Sequence, residues 1–241
     1  IIDRWGKTKK DFVKKLNNIS DKKIIIDDAS LNRRYFDLSL NPLMHDVKKQ
    51  KNSFIGFEHL ILPVYFYKHK KNISRNQNVF IFFGGHDHKR LTLKILKILN
   101  KNDLKLNLFV SSLFKKLFYG IKINKKIIFY SQNQYIQKLN LCKIAITAGG
   151  MSLFDNVVMK KKIICIPQYK HQEINAKRIA SKNAINLLNS NNKNFEKKFN
   201  EIFVKLYKDV PLNKKIILKQ NKISNMSKLH KTLLLIGKIY E

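Results

Sequence analysis

The chain has 241 residues, 44% of them hydrophobic and 27% charged, which is enough apolar material for one large core or two small ones and too much for a disordered chain. Lys or Asn interrupts every apolar run well short of eighteen residues, which excludes a membrane-spanning helix. The formal charge of +33 first suggests a polyanion, but its cations are 43 lysines and six arginines scattered beside abundant Asn and Ile. Base and phosphate recognition favours arginine forks, and a drift toward A/T-rich codons explains the lysines as well, so nucleic acid is not expected as the main ligand.

The opening Ile1-Ile2-Asp3-Arg4-Trp5 has no basic region followed by an apolar one, so no signal peptide is expected. It reads as a strand end, with upstream sequence expected to be missing. A helix over 9–16 follows, then a strand over 23–26 ending in Asp27-Asp28 and a strand over 37–40 before Asn41-Pro42. Residues 1–67 thus read as part of an α/β domain, and the polar run 68–78 as a linker. The aromatic run Tyr65-Phe66-Tyr67 before it suits domain-interface packing, and His45, Asp46 and His59 suggest no site.

From residue 79 short apolar runs alternate with amphipathic stretches, the pattern of βαβ units in a parallel sheet. Strands are expected over 79–83, 106–110, 126–129, 144–147, 163–166 and 184–188, and helices over 88–99, 111–118, 132–139, 152–159 and 171–181. This describes a doubly wound, Rossmann-like domain over 79–190. A helical extension over 191–241 completes the chain, with amphipathic helices near 195–207 and 221–240. Cys142 and Cys165 lie in apolar strands without metal-ligand or CxxC spacing, as expected of reduced core thiols in a cytoplasmic protein.

Two segments combine a strand end, paired glycines and a helix start: FFGGHDHKRLTLKIL at 82–96 and ITAGGMSLFDNVV at 146–158. Such turns leave backbone N–H groups pointing outward at a helix N-terminus, where donors and dipole stabilise a phosphate. A plain tight turn uses the same glycines, but two of them at the carboxyl edge of one parallel sheet fall where such folds bind ligands. Neither segment is a Walker A loop or GxGxxG. His86-Asp87-His88 are metal-ligand types, yet three adjacent residues do not converge on one ion and no second cluster supplies the rest. No metal and no cofactor are expected.

In order along the chain stand Ile2-Asp3-Arg4-Trp5, Ile26-Asp27-Asp28, Phe83-Gly84-Gly85-His86-Asp87 with Leu91-Thr92-Leu93, Ala148-Gly149-Gly150 with Asp155, and His171-Gln172. Over residues 1–188 this order and spacing resemble nucleotide-sugar enzymes of the two-domain glycosyltransferase B type. The nearest resemblance is to the UDP-sugar hydrolases of pseudaminic acid biosynthesis, which release UDP from UDP-2,4-diacetamido-2,4,6-trideoxy-β-L-altropyranose. The peptidoglycan GlcNAc transferase shares the second-domain layout, so the resemblance speaks more to fold than to reaction.

The resemblance implies a UDP-sugar in an interdomain cleft. Gly149, Gly150, Met151 and Ser152 would hold the diphosphate, and Asp155 would accept from ribose hydroxyls where relatives carry Glu. Phe129 and Tyr130 would begin a loop framing uracil with main-chain groups. Gly84, Gly85 and Asp87 would line the cleft, and Asp27 and Asp28 would lie near it. His171 and Gln172 would face the sugar where the family has Asn-Gln. The family's proposed catalytic His in a GxGH loop has no counterpart here, so no catalytic residue is assigned. His86 is a candidate substitute, though packing at a helix start is its simpler role. Hydrolysis, transfer of the sugar to an acceptor, and a basic nucleic-acid-binding module are the readings carried forward, with oligomeric state left open.

Overall fold

A computed structural model describes residues 1–43, 48–61, 75–208, 210–223 and 226–240. It divides into two compact units, Ile1–Leu62 with Ile223–Glu241, and Pro63–Lys222. The Tyr65-Phe66-Tyr67 run, most of the expected linker, and His45 with Asp46 lie outside the described residues.

In the first unit, β1 (Ile2–Gly6), β2 (Ile24–Asp28), β3 (Leu38–Asn41) and β4 (Ser53–Ile55) form a parallel sheet in that order. Consecutive isoleucines in β2 suit a strand covered on both faces. Ile25 packs with Val13 of α1 (Lys10–Asn17) and Phe36, while Ile24, Leu38 and Leu40 meet Leu235, Ile236 and Ile239 of the last helix. Strand β4 was not expected, since three residues carry too short a pattern to register.

The acidic pair ending β2 closes turns. Asp28 Oδ1 accepts from the Thr8 and Ser30 N–H groups at 3.2 and 2.7 Å, and its Oδ2 accepts from the Ser30 hydroxyl. Asp27, at a left-handed φ of 54°, accepts from the Leu43 N–H at 2.9 Å. His59 also has a partner, its Nδ1 lying 3.0 Å from the Thr232 hydroxyl.

The second unit holds β5 (Arg75–Phe82), β6 (Asn107–Ser111), β7 (Lys126–Tyr130), β8 (Cys142–Thr147), β9 (Lys162–Cys165) and β10 (Asn186–Leu187). The strands run parallel in the order β10-β9-β8-β5-β6-β7. The sheet therefore has six strands, one for each range expected from residue 79 onward, the short edge strand β10 included. Strand β5 begins at Arg75, inside the expected linker, because its polar start still pairs with Cys142 before an irregularity restores register at Val79.

Helices α2 (Leu91–Asn100), α3 (Tyr135–Asn140), α4 (Met151–Val158) and α5 (Lys170–Ala180) follow strands as expected. The segments Ser112–Phe118 and Gln132–Gln134 are 3-10 turns. Alternation along the strands separates two cores. Val79, Ile81, Ile144 and Ile146 face Leu91, Ile95 and Phe199, while Phe80, Phe109 and Ala145 face Tyr130 and Leu139.

The stretch 191–241 is not one extension. Helix α6 (Phe195–Lys208) and α7 (Val210–Ile223) up to Lys222 belong to the second unit, whereas α8 (Met226–Tyr240) belongs to the first. Packing explains the division. Phe195, Phe199 and Phe203 recur every fourth residue and stack at 6.3 and 5.8 Å in the second unit, in the core that holds Val79, Ile81, Ile144 and Ile146. The buried Gln220 holds α7 to the same unit by donating to the Lys161 and Ala184 carbonyls.

Phe199 is fully buried in this column, so Phe199→Ala is expected to cost about 3–5 kcal/mol, measured as a lower urea midpoint.

Candidate functional site

Strand register sets the site. Phe82 is paired with Thr147 and Thr147 with Cys165, so β5, β8 and β9 end side by side. The chain leaves β5 toward β6 and β8 toward β9, in opposite directions across the sheet. Strands β5 and β8 therefore flank the switch point where open α/β sheets leave a crevice at their carboxyl edge. The two glycine pairs found in the sequence fall on these neighbouring strand ends.

Two glutamines tie the loops together. Gln168, 5% exposed, donates from Nε2 to the Phe83 carbonyl at 2.8 Å, and its backbone N–H donates to Gln172 Oε1 at 2.9 Å. Gln172 in turn lies against the Gly149-Gly150 turn. A Cβ on Gly149 would stand 2.2 Å from the Gln172 carbonyl oxygen, so a glycine is needed there for α5 to approach. At Gly150 a Cβ would meet only Gln172 Nε2 at 3.6 Å. Gly84, at φ 89°, turns the chain after β5, and an added Cβ at Gly84 or Gly85 meets nothing within 4 Å.

Gly150 is the N-cap of α4 and supplies no capping side chain, so first-turn N–H groups are left for another acceptor. Met151 is exposed at this turn. The Ser152 hydroxyl is turned inward, 2.7 Å from the Thr147 hydroxyl. If Thr147 donates that bond, the Ser152 proton remains for an anion.

One turn further along α4, Asp155 Oδ2 accepts from the Tyr135 hydroxyl at 3.0 Å. Burial raises the Asp155 carboxyl to about 7, against the lowering effect of that hydrogen bond. Phe129 and Tyr130 give their side chains to opposite cores. Phe129 meets Phe118 edge-on, while Tyr130 stacks on Phe80 at 5.0 Å. Main-chain groups are then what this segment has to offer a ligand. The following turn is fixed by a capping box between Ser131 and Gln134.

The other expected site residues have local tasks. Asp87 is buried, and its two oxygens accept from the Leu91 and Thr92 N–H groups at 2.9 and 2.7 Å, capping α2. His86 is not packed at the helix start. It begins an exposed ladder of rings, His86–His88–Tyr169–His171, with centroids 6.4, 4.6 and 5.5 Å apart, joining the loops after β5 and β9. Burial lowers the His171 pKa. Among the described residues no cluster of three His, Cys, Asp or Glu side chains is arranged to hold a metal ion. Nor is any described helix long and apolar enough to cross a membrane.

No protein-family model matches the chain. An uncharacterized protein of Methanocaldococcus jannaschii, MJ1062, is 28% identical over 198 residues, covering 71% of this chain and 40% of that protein. The chain thus spans less than half the length of this curated relative. MurG of Acinetobacter baumannii superposes with a TM-score of 0.65 at 13% identity, covering 93% of this chain and 69% of MurG. The spinosyn rhamnosyltransferase SpnG complexed with thymidine diphosphate gives 0.59 at 13%, covering 96% of this chain and 77% of that one. The fold is that of the glycosyltransferase B type. At such identities the likeness carries the fold alone.

Gln168 and Tyr135 were missed by the sequence reading. Tyr135 had a signal, the Ser131-x-x-Gln134 cap just before it, but its partner Asp155 is twenty residues away. Gln168 follows a strand end and carries no motif.

The contrast between the glycines is measurable. Gly149→Ala is expected to destabilise by about 1–3 kcal/mol because the obstructing group is backbone. Gly150→Ser is expected to stay within about 0.5 kcal/mol, since Ser and Gly both serve at an N-cap. Chemical denaturation of both variants is the check.

Proposed function

We propose that the chain is part of a nucleotide-sugar enzyme and binds a UDP-sugar at the carboxyl edge of its six-stranded sheet. One observation carries this reading: strand register sets the Gly149-Gly150 turn, the uncapped N-terminus of α4 and the α5 start with Gln172 side by side at the switch point. Donors and dipole at α4 suit a diphosphate. Asp155 takes the ribose, the main chain of residues 129–133 frames uracil, and His171 and Gln172 face the sugar. Gly84 and Gly85 keep the neighbouring loop free of side chains.

In the hydrolytic form of this reading, water attacks the anomeric carbon and the bond to the β-phosphate oxygen breaks. The free sugar leaves with the water oxygen, and UDP leaves with the bonding pair. The helix N-terminus stabilises the charge developing on the departing diphosphate. The water proton needs an acceptor within hydrogen-bond reach, a role assigned to no residue of this chain. The order of motifs supports hydrolysis in the manner of pseudaminic acid biosynthesis. Transfer to an acceptor has equal support, because SpnG, which shares the fold, is a rhamnosyltransferase.

Titration calorimetry with UDP at 150 mM salt, with AMP and a short RNA as controls, is expected to give micromolar binding of UDP alone. RNA heat without UDP heat, falling steeply with salt, would instead make the lysines the functional feature. Gly150→Asp is expected to lower UDP affinity at least about tenfold at unchanged thermal midpoint, since its carboxylate caps α4 and repels the diphosphate. Where turnover is seen, free sugar released together with UDP in the absence of any acceptor marks hydrolysis, and UDP release that requires an acceptor marks transfer.

A further inference from the structure

Asp155 is singular among the polar groups near the Gly149-Gly150 turn. Asp87 spends its two oxygens on α2, and Ser152 is engaged with Thr147. Asp155 commits Oδ2 to the Tyr135 hydroxyl at 3.0 Å, while its Oδ1 has no partner among the described residues. The tyrosine ring that delivers this hydroxyl is held on three sides. Phe80 and Phe82 meet it edge-on, each at 5.2 Å, and Tyr130 lies at 6.4 Å. The capping box of Ser131 and Gln134 fixes the turn just before it.

We propose that Tyr135 is a positioning residue for Asp155: its hydroxyl holds one carboxylate oxygen and leaves the other to accept a ribose hydroxyl. This role rests on the nucleotide-sugar reading above. Asp is one methylene shorter than the Glu of the resembled family, and a short carboxylate on a helix needs an external anchor to keep an oxygen facing a ligand. Tyr135 supplies it from the neighbouring helix.

Protonation follows from the same geometry. Tyr135 is the titratable group that faces the carboxyl from α3, α4 carries no other charged residue, and β5 presents Phe80 and Phe82. No lysine or arginine among the described residues acts on the carboxyl through its charge. Only the hydroxyl favours the ionised form against burial, leaving the group at about 7. The ionised form is the acceptor, so affinity is full above that pH and is lost as pH falls through it.

The test uses UDP-glucose, whose diphosphate is a diester with no proton to exchange near neutral pH, and ¹³C-detected titration of the ligand-free Asp155 carboxyl. Wild type is expected to bind about tenfold more weakly at pH 6 than at pH 8, as one linked proton requires. Tyr135→Phe is expected to move both the carboxyl midpoint and the affinity profile to higher pH, with affinity recovering on the alkaline side. Asp155→Asn is expected to bind weakly with no pH dependence over this range, and it serves equally should Tyr135→Phe fail to fold. A Tyr135→Phe protein with the wild-type midpoint, or an Asp155→Asn protein that keeps the wild-type profile, overturns the role of Tyr135 while leaving the nucleotide reading intact. No UDP-glucose heat from wild type at either pH overturns that reading and this role with it.

Discussion

The close approach of α5 to Gly149 is the constraint on which the site depends. Backbone packed against backbone leaves no freely moving atom between the second glycine turn and the start of α5, and Gln168 extends the same rigidity to the loop after β5. These contacts tie together the loops after β5, β8 and β9. Preorganisation of this kind is what a site built on loops needs, because ordering a loop at the moment of binding subtracts from affinity. The glycine is often read as making room for phosphate. Here its first task is to make room for a helix.

Much of the second unit was legible because its signals are local. Val79 to Phe83, Ile144 to Thr147 and Ile163 to Ile166 are apolar runs bounded by turn residues, and each became the body of a strand. What failed had either too little pattern or a long-range cause. Strand β4 has three residues, and the polar start of β5 is a strand only because Cys142 lies beside it. The division of the C-terminal helices was illegible for a related reason. Amphipathic faces in α6 and α8 announce burial but do not say in which unit. Within the site, glycine positions and Asp155 could be singled out from the chain, while Gln168 and Tyr135 act through partners far away in sequence.

The lysines illustrate how a composition bias is absorbed. Two of the described lysines sit in the interior as hydrogen-bond donors to carbonyl groups. Lys161 donates to the Asn140 and Cys142 carbonyls, and Lys162 to that of Leu206. Burial lowers the Lys161 pKa to about 8, a cost tolerated where the amine donates to the Asn140 and Cys142 carbonyls at the end of α3 and the start of β8. Beside this amine, burial raises the Cys142 thiol to about 12, so it stays protonated and unreactive. These two lysines thus do work elsewhere given to asparagine, serine or water.

The first unit is discontinuous along the chain. Its sheet comes from the first 62 residues, yet α8, which covers one face of that sheet, is the last helix of the chain. During synthesis the apolar side formed by Ile24, Leu38 and Leu40 must wait for some 160 intervening residues to be made. The second unit, continuous in sequence, has everything it needs as soon as α7 emerges. Vectorial synthesis therefore completes the residues of the second unit before the helix that packs on Ile24, Leu38 and Leu40 emerges.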